Sequence, residues 1–511
     1  MQTFLNKRLF KMKTFNFFAK MLFVMSAVVL SACSDNGDDN SGGGGGTTEQ
    51  ILFGDGTQIG NGDQEFTIKE SHTLKKGTYV LKGWVYVDAG ATLTIEPGTI
   101  IKGDKATKAA LIVQRGGKIM AEGSATAPII FTSNQAKGSR KPGDWGGVIL
   151  LGKAKNNGNV MTIEGGPNAD HGGSDDTDNS GVLSYVRIEF AGYPFKEDQE
   201  INGLTLGSVG SGTKLDHIQV SYSNDDSYEW FGGTVSAKYL VAYHGWDDDF
   251  DTDNGFSGKL QFLLSVRHPK IADYSLSNGF ESDNNKDGVA TTPFTSAVFS
   301  NVTFIGPIGQ DASFANTTQY ITGGDMFPDN GSKLGTFQAA MHIRRNSRLN
   351  CFNSVAVGFP VGLILDNEKG TTQTAATDGN LKLQNLYFAG MTILGSDINK
   401  NYLDQLSTDG KTISDAGKPS FSSTFFRLTA NNNKVYDNIS DLKLKQPNSL
   451  IASPSYAPSA DSPLLGAAAF TDAALQSGFD KVSYVGAFAS DAAADNWLAG
   501  WTNFDPQNTT Y

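Results

Sequence analysis

Two stretches of this chain match themselves at a fixed shift. WVYVDAGATLTIEPGTI (84–100) aligns with ALIVQRGGKIMAEGSAT (110–126) at an offset of 26 residues. Val85 falls on Leu111, Val87 on Val113, Gly90 on Gly116 and Leu93 on Ile119. Further on, NDDSYEWFGGTVSAKYL aligns with WDDDFDTDNGFSGKLQF at an offset of 22, placing Tyr228 on Phe250, Glu229 on Asp251, Gly233 on Gly255 and Leu240 on Phe262. A unit of twenty-odd residues, made of short β-branched runs and Gly/Asn/Asp turns, cannot bury its apolar face alone. Stacked units bury a continuous core, with like residues above like. The pattern predicts an all-β fold, a right-handed parallel β-helix (a β-solenoid) with irregular loops and a C-terminal cap. A β-sandwich also uses many short strands, but it leaves the alignments unexplained.

The rhythm predicts coils over 51–395, interrupted by loops at 134–144, 155–180, 305–335 and 366–380. It fades over 396–450, where DINKNYLDQLSTDG predicts a short helix within an insertion or cap. Residues 451–511 form a capping segment whose aromatic residues are expected to seal the last coil, since an open solenoid end exposes core and strand edges. Cys351 is expected to be a buried small apolar residue.

The first 32 residues read as a leader. Lys7, Arg8, Lys11, Lys13 and Lys20 precede the apolar run MLFVMSAVVL, too short to span a bilayer and suited to a signal peptide. The "LSAC" that ends at Cys33 resembles a bacterial lipobox, in which that cysteine is acylated and holds the protein at a membrane without a spanning helix. Residues 33–50 are an acidic, then glycine-rich tether. Its acidic start resembles the surface-export signal of Bacteroidota lipoproteins. Removing a leader with five basic and no acidic residues takes the formal charge from −12 to −17. That balance argues against nucleic acid as a partner and suits divalent cations.

"ATLTIEPGTIIKG", "RKPGDWGGVILLGKA", "GGSDDTDNSGVLSYVRIEFAG", "SNDDSYEWFGGTV" and "GAF…NWLAGWT" together resemble a family of β-helical outer-membrane lipoproteins widespread in Bacteroidota, to which a leptospiral lipoprotein belongs. The resemblance implies a pectate-lyase-like fold and a surface address, sometimes beside outer-membrane nutrient receptors. It supplies no catalytic residues.

The repeat also stacks acids. Glu229 and Asp251 share a column, and GFESDN predicts Glu281 beneath Asp251 and Asp283 beneath Asp253. Rungs lie about 4.8 Å apart. At an effective dielectric near 20, two bare carboxylates at that separation repel by about 3–4 kcal/mol. A cation, a basic neighbour or proton sharing must relieve this. Ca²⁺ fits best, because it takes several carboxylate oxygens in flexible geometry. The candidate ligands are Glu229, Asp247, Asp248, Asp249, Asp251, Asp253, Glu281 and Asp283, with Asp249, Asp251 and Asp253 on one side of a strand and Phe250 on the other. The plain alternative is a solvated acidic face. A second, weaker candidate is Asp176, Asp178 and Ser180, a partial calcium-loop pattern whose twelfth position is Arg187 instead of glutamate. Asx-rich turns account equally well for it.

Lys238, Lys259 and Arg267 lie close in sequence to the acids, so a lyase would draw its base from them, with Asp251 on the metal. Trp230 and Trp246 are the candidates for stacking on sugar rings. The expected role is a surface binding or accessory module for glycan or nutrient capture. A Ca²⁺-dependent polysaccharide lyase or hydrolase is the alternative, and a structural or adhesive surface protein is a third. Fold analogy alone is a weak warrant for chemistry.

Overall fold

The computed structural model describes residues 50–165, 167, 169–196, 199–397, 402–405, 419–445 and 455–511. The signal-peptide, Cys33 and tether expectations lie outside the described residues, apart from Gln50.

The chain winds into the expected parallel β-helix. One face is a 12-stranded sheet that starts at Phe66–Ile68 and runs through Trp84–Val87, Ala110–Val113, Gly147–Leu151, Leu204–Val209, Tyr228–Gly233, Phe250–Asp253, Phe280–Ser282, Ala339–Ile343, Val361–Leu365 and Ile393–Asp397. The register follows the repeats on the acid-bearing face and in the first coils: Val85 pairs with Leu111, Leu93 with Ile119, and Glu229 with Asp251. On the opposite wall it runs one residue further, so that Leu240 pairs with Leu263 and not with Phe262. The matched glycines have a backbone reason. Gly90 and Gly116 hold φ of 86° and 88°, where a side chain is strained.

The opposite wall is an 18-stranded sheet. Its central strands, among them Lys214–Ser221, Ala237–Tyr243 and Lys259–Val266, turn a corner at one positive-φ residue each. Register stacks those corners into a column: Tyr185, His217, Tyr239, Phe262, Asn301, Asn353, Asn385, Asn432. Its first part is a ring stack with centroids 4.3, 4.4 and 5.1 Å apart. Its second part is an amide ladder, in which Asn385 donates to Asn353 (2.8 Å) and Asn432 to Asn385 (3.0 Å). Asparagine tolerates the left-handed backbone better than other residues.

The end of the chain departs from the expectation. It does not seal the last coil but runs back along the outside of this corner. Asn385 and Asn353 donate to the carbonyls of Ala467 and Ala469, Asn301 to Tyr484, Gln261 to Asp480 and Gln219 to Asn503. Val485, Phe488, Leu498, Trp501 and Phe504 cover a second core of Phe190, Tyr243, Leu264 and Val357. Among the described residues the last parallel pairing joins Tyr387–Ala389 of the coils to Lys434–Tyr436, which lies within the expected insertion. Closure of the core falls to the helix Phe421–Phe426, whose Phe425 and Phe426 enter it. The helix expected at 397–410 is also corrected: Tyr402–Gln405 is a strand antiparallel to Ile393–Asp397. Cys351 is buried as expected. Among the described residues no helix is long and apolar enough to cross a membrane.

Asn353 joins ladder and strap, also accepting from Ala469 N at 2.8 Å. Asn353→Ala leaves several buried partners unmatched and is expected to destabilise by about 1–3 kcal/mol. A denaturant midpoint unchanged from wild type would contradict this.

Candidate metal centre

Strand alternation builds the site. Tyr228, Phe250 and Phe280 point inward; Phe250 stacks on Tyr228 (5.5 Å) and meets Phe280 at a tilt (5.9 Å). Their neighbours Glu229, Asp251 and Glu281 stand in one file on the outer face, in register. Thr205 precedes the file and His342 follows it. A second file comes from the turns that enter these strands. Asp226 accepts from the backbone N–H of Asp248 (2.8 Å), Asp248 from that of Asn278, and Asn278 from that of Ala339. Each of these side chains, two acids and an amide, thus caps the turn of the next coil, which is why the turns stay in step.

Between the files lies a pocket of about 420 Å³, lined by twelve carboxylates and by Lys286, Arg344 and Arg345. Three sets have ligand oxygens within 4.8 Å of one another: Asp225, Asp226 and Asp247; Asp226, Glu229 and Asp251; Asp248, Asp251 and Glu281. Burial, then mutual repulsion, raises Asp225, Asp226, Glu229, Asp248 and Asp251 well above the carboxylate range. Burial with Asp273 pushes Asp247 up to about 8, and burial with Asp283 does the same for Asp253. One end differs. Arg344 binds Glu281 and also Asp283 (2.9 Å), and Arg345 binds Asp283 (2.5 Å). Burial opposes ionisation of Glu281, but Arg344 and His342 outweigh it and hold the group at about 2.

The donor set fits Ca²⁺. It consists of carboxylate oxygens that converge in threes, and Asp251 Oδ1 is buried without a hydrogen-bond partner. Among the candidate ligands, Glu229, Asp247, Asp248, Asp251, Asp253, Glu281 and Asp283 line this pocket.

Asp249 does not. It turns inward, where its carboxylate accepts from Arg267 (2.8 Å) and Ser265 (2.5 Å), both partners wholly buried. The strand begins only at Phe250, so alternation does not extend back to residue 249. The proposed bases are misplaced too. Arg267 is spent on Asp249, while Lys238 pairs with Asp480 (2.8 Å) and Lys259 bonds Ser477 (2.8 Å), both on the opposite wall under the C-terminal strap. Trp230 and Trp246 are 0 % exposed and cannot receive a sugar. Trp230 alternates inward with Tyr228 and stacks on it (5.8 Å) and on Phe256 (5.4 Å). Trp246 packs against Phe327, from the 305–335 excursion. The second acidic loop enters none of the converging acidic sets among the described residues: Asp176 pairs with Lys155 (2.5 Å), and Asp178 and Ser180 are buried.

Sequence reasoning missed Asp225, Asp226, Asp273, Glu164, Glu200, Lys286, His342, Arg344 and Arg345. Asp225 and Asp226 carry a usable signal, since the same 22-residue offset lays them on Asp247 and Asp248. MHIRRN could have been aligned under FESDNN, which puts His342 beneath Glu281. Glu164 and Glu200 come from excursions without a repeat.

A family model described as a pectate-lyase-like β-helix domain matches residues 66–425. Among solved structures, the chain is similar to the crystal structure of pectate lyase Pel9A, with 12% identity, a TM-score of 0.36, and coverage of 79% of this chain and 89% of that one. No curated protein matches.

Proposed function

The chain belongs to the pectate-lyase-like β-helix domain family, and on that premise we propose that it is a Ca²⁺-loaded binding module for acidic polysaccharide. The carrying observation is the pocket itself. Twelve carboxylates, of which Asp226, Glu229, Asp248 and Asp283 are buried, against three cationic side chains repel an anionic glycan unless metal ions intervene. Ca²⁺ held by these oxygens would supply positive charge that a uronate could share as a further oxygen ligand. Lys286, Arg344 and Arg345 line the same pocket and favour the same sign of ligand.

We further propose an address: acylation of Cys33 holds the protein at the outer membrane, facing outward as an accessory to nutrient capture beside a receptor. This rests on the lipobox-like "LSAC" and the acidic tether. A Cys33→Ser variant is expected to leave the membrane fraction and to lose labelled palmitate. Retention of both would remove the anchor.

A second reading has one observation in its favour: Lys286 lines the pocket and could serve as the base of a polysaccharide lyase. Arg344 and Arg345 serve less well, being held by Glu281 and Asp283. Affinity electrophoresis of the full chain in a polygalacturonate gel decides. Ca²⁺-dependent retardation, abolished by chelator and without new ultraviolet absorbance from unsaturated ends, is expected. Absorbance that grows with time would turn the module into a lyase. Neither retardation nor product would end both readings.

A further inference from the structure

Beside the acid pocket lies a groove of different chemistry. This groove, of about 720 Å³, shares Glu164, Phe231, Asp253 and Lys286 with the pocket, so the two adjoin. One wall is a hairpin, Met161–Thr162 paired antiparallel with Asp170–His171, which brings Met161 and Ile163. The other is the loop after Asp283, which brings Val289. Val289 is 53% exposed, yet its backbone is fixed. Its carbonyl accepts from Asn284 (2.9 Å) and Asn285 (2.7 Å), and its N–H donates to Asn285 (2.9 Å). An apolar side chain is thus held against water beside a site for charge. His171, buried on the groove's floor, is kept neutral with a pKa of about 4, chiefly by burial.

We propose that this groove is a subsite for a methyl-bearing sugar residue, next in the chain to the uronate held at the cation pocket. The inference rests on the acidic-polysaccharide reading above and names the class of polymer. A second uronate here would meet Glu164, Asp253 and Asp287, with Lys286 as the one cationic side chain among the described residues that line the groove. A methyl group meets Met161, Ile163, Phe231 and Val289 instead. That methyl belongs either to a 6-deoxy sugar or to an O-acetyl ester.

Titration calorimetry on the full chain in saturating Ca²⁺ separates these, using three oligosaccharides of equal length: galacturonate alternating with rhamnose, O-acetylated galacturonate, and unsubstituted galacturonate. A methyl-bearing ligand is expected to bind about tenfold tighter than the unsubstituted one, as one or two methyl groups in an apolar pocket allow. Whichever of the two wins names the source. Val289→Ser is expected to erase that advantage and leave the unsubstituted ligand unchanged. Val160→Ser, exposed but outside the groove, is expected to change nothing. Equal affinity for all three ligands, or a Val289→Ser loss shared by all three, would overturn the subsite alone. Binding of none of them overturns the polysaccharide reading and the subsite with it.

Discussion

Arg267→Ala is expected to destabilise the protein by about 3–5 kcal/mol, because it strips the partner from a buried charge. Arg267 and Asp249 are both 0 % exposed, and the guanidinium also donates to the carbonyl of Trp246 (3.2 Å) and lies over the Phe337 ring. Burial raises Asp249 to about 6, with Arg267 and Ser265 restraining the rise. Without Arg267 the carboxyl is expected to hold its proton to higher pH. The loss should therefore be smaller at pH 5, where the group is easily protonated, than at pH 8. Arg267→Met keeps much of the volume and should show the same pH trend. Denaturant unfolding at the two pH values checks this. An equal loss at both would mean that packing, not charge, is what Arg267 supplies.

Ca²⁺ is expected to raise the melting temperature of chelator-treated protein, and by more at pH 8 than at pH 5. In the metal-free protein Asp247 and Asp253 have folded values of about 8 against an ordinary 3.8. The folded state therefore holds their protons more tightly than the unfolded chain does. The resulting stability is fully present below about pH 4 and is lost as pH rises through about 8, at up to about 1.4 kcal/mol per group per pH unit. Ca²⁺ needs those same groups ionised, so its apparent affinity rises over the same interval. At a hundredfold excess over its dissociation constant it contributes about 2.7 kcal/mol. Asp251→Asn removes a carboxylate common to two of the three converging sets. It should blunt the Ca²⁺ response while making the metal-free protein more stable at pH 8. A Ca²⁺ shift that does not change with pH, or no shift, would refute the metal centre.

Much of this site could be read from spacing. Glu229, Asp251 and Glu281 share a file because each coil sits directly on the last; the offset of 22 residues gives the first pair and the likeness of GFESDN to DFDTDN gives the second. Trp230 shows the limit. Its parity with Tyr228 already assigned it to the core, and only the habit of expecting tryptophan on sugar-binding surfaces pointed outward. Trp246 carried no such signal, because its cover arrives from Phe327, some eighty residues away.

The amino-acid sequence by itself determined the coil, its register and the alternation that puts acids outside and rings inside, since these depend on neighbours along the strand and one turn away. The tertiary structure alone decided which outer faces stay wet. The returning strap from Ala467 to Tyr511 covers one wall and takes Lys238 and Lys259 with it, while Asp249 turns inward to Arg267. Burial is set by whatever comes to lie on top, and in this chain that material comes from excursions that share no period with the coils they cover.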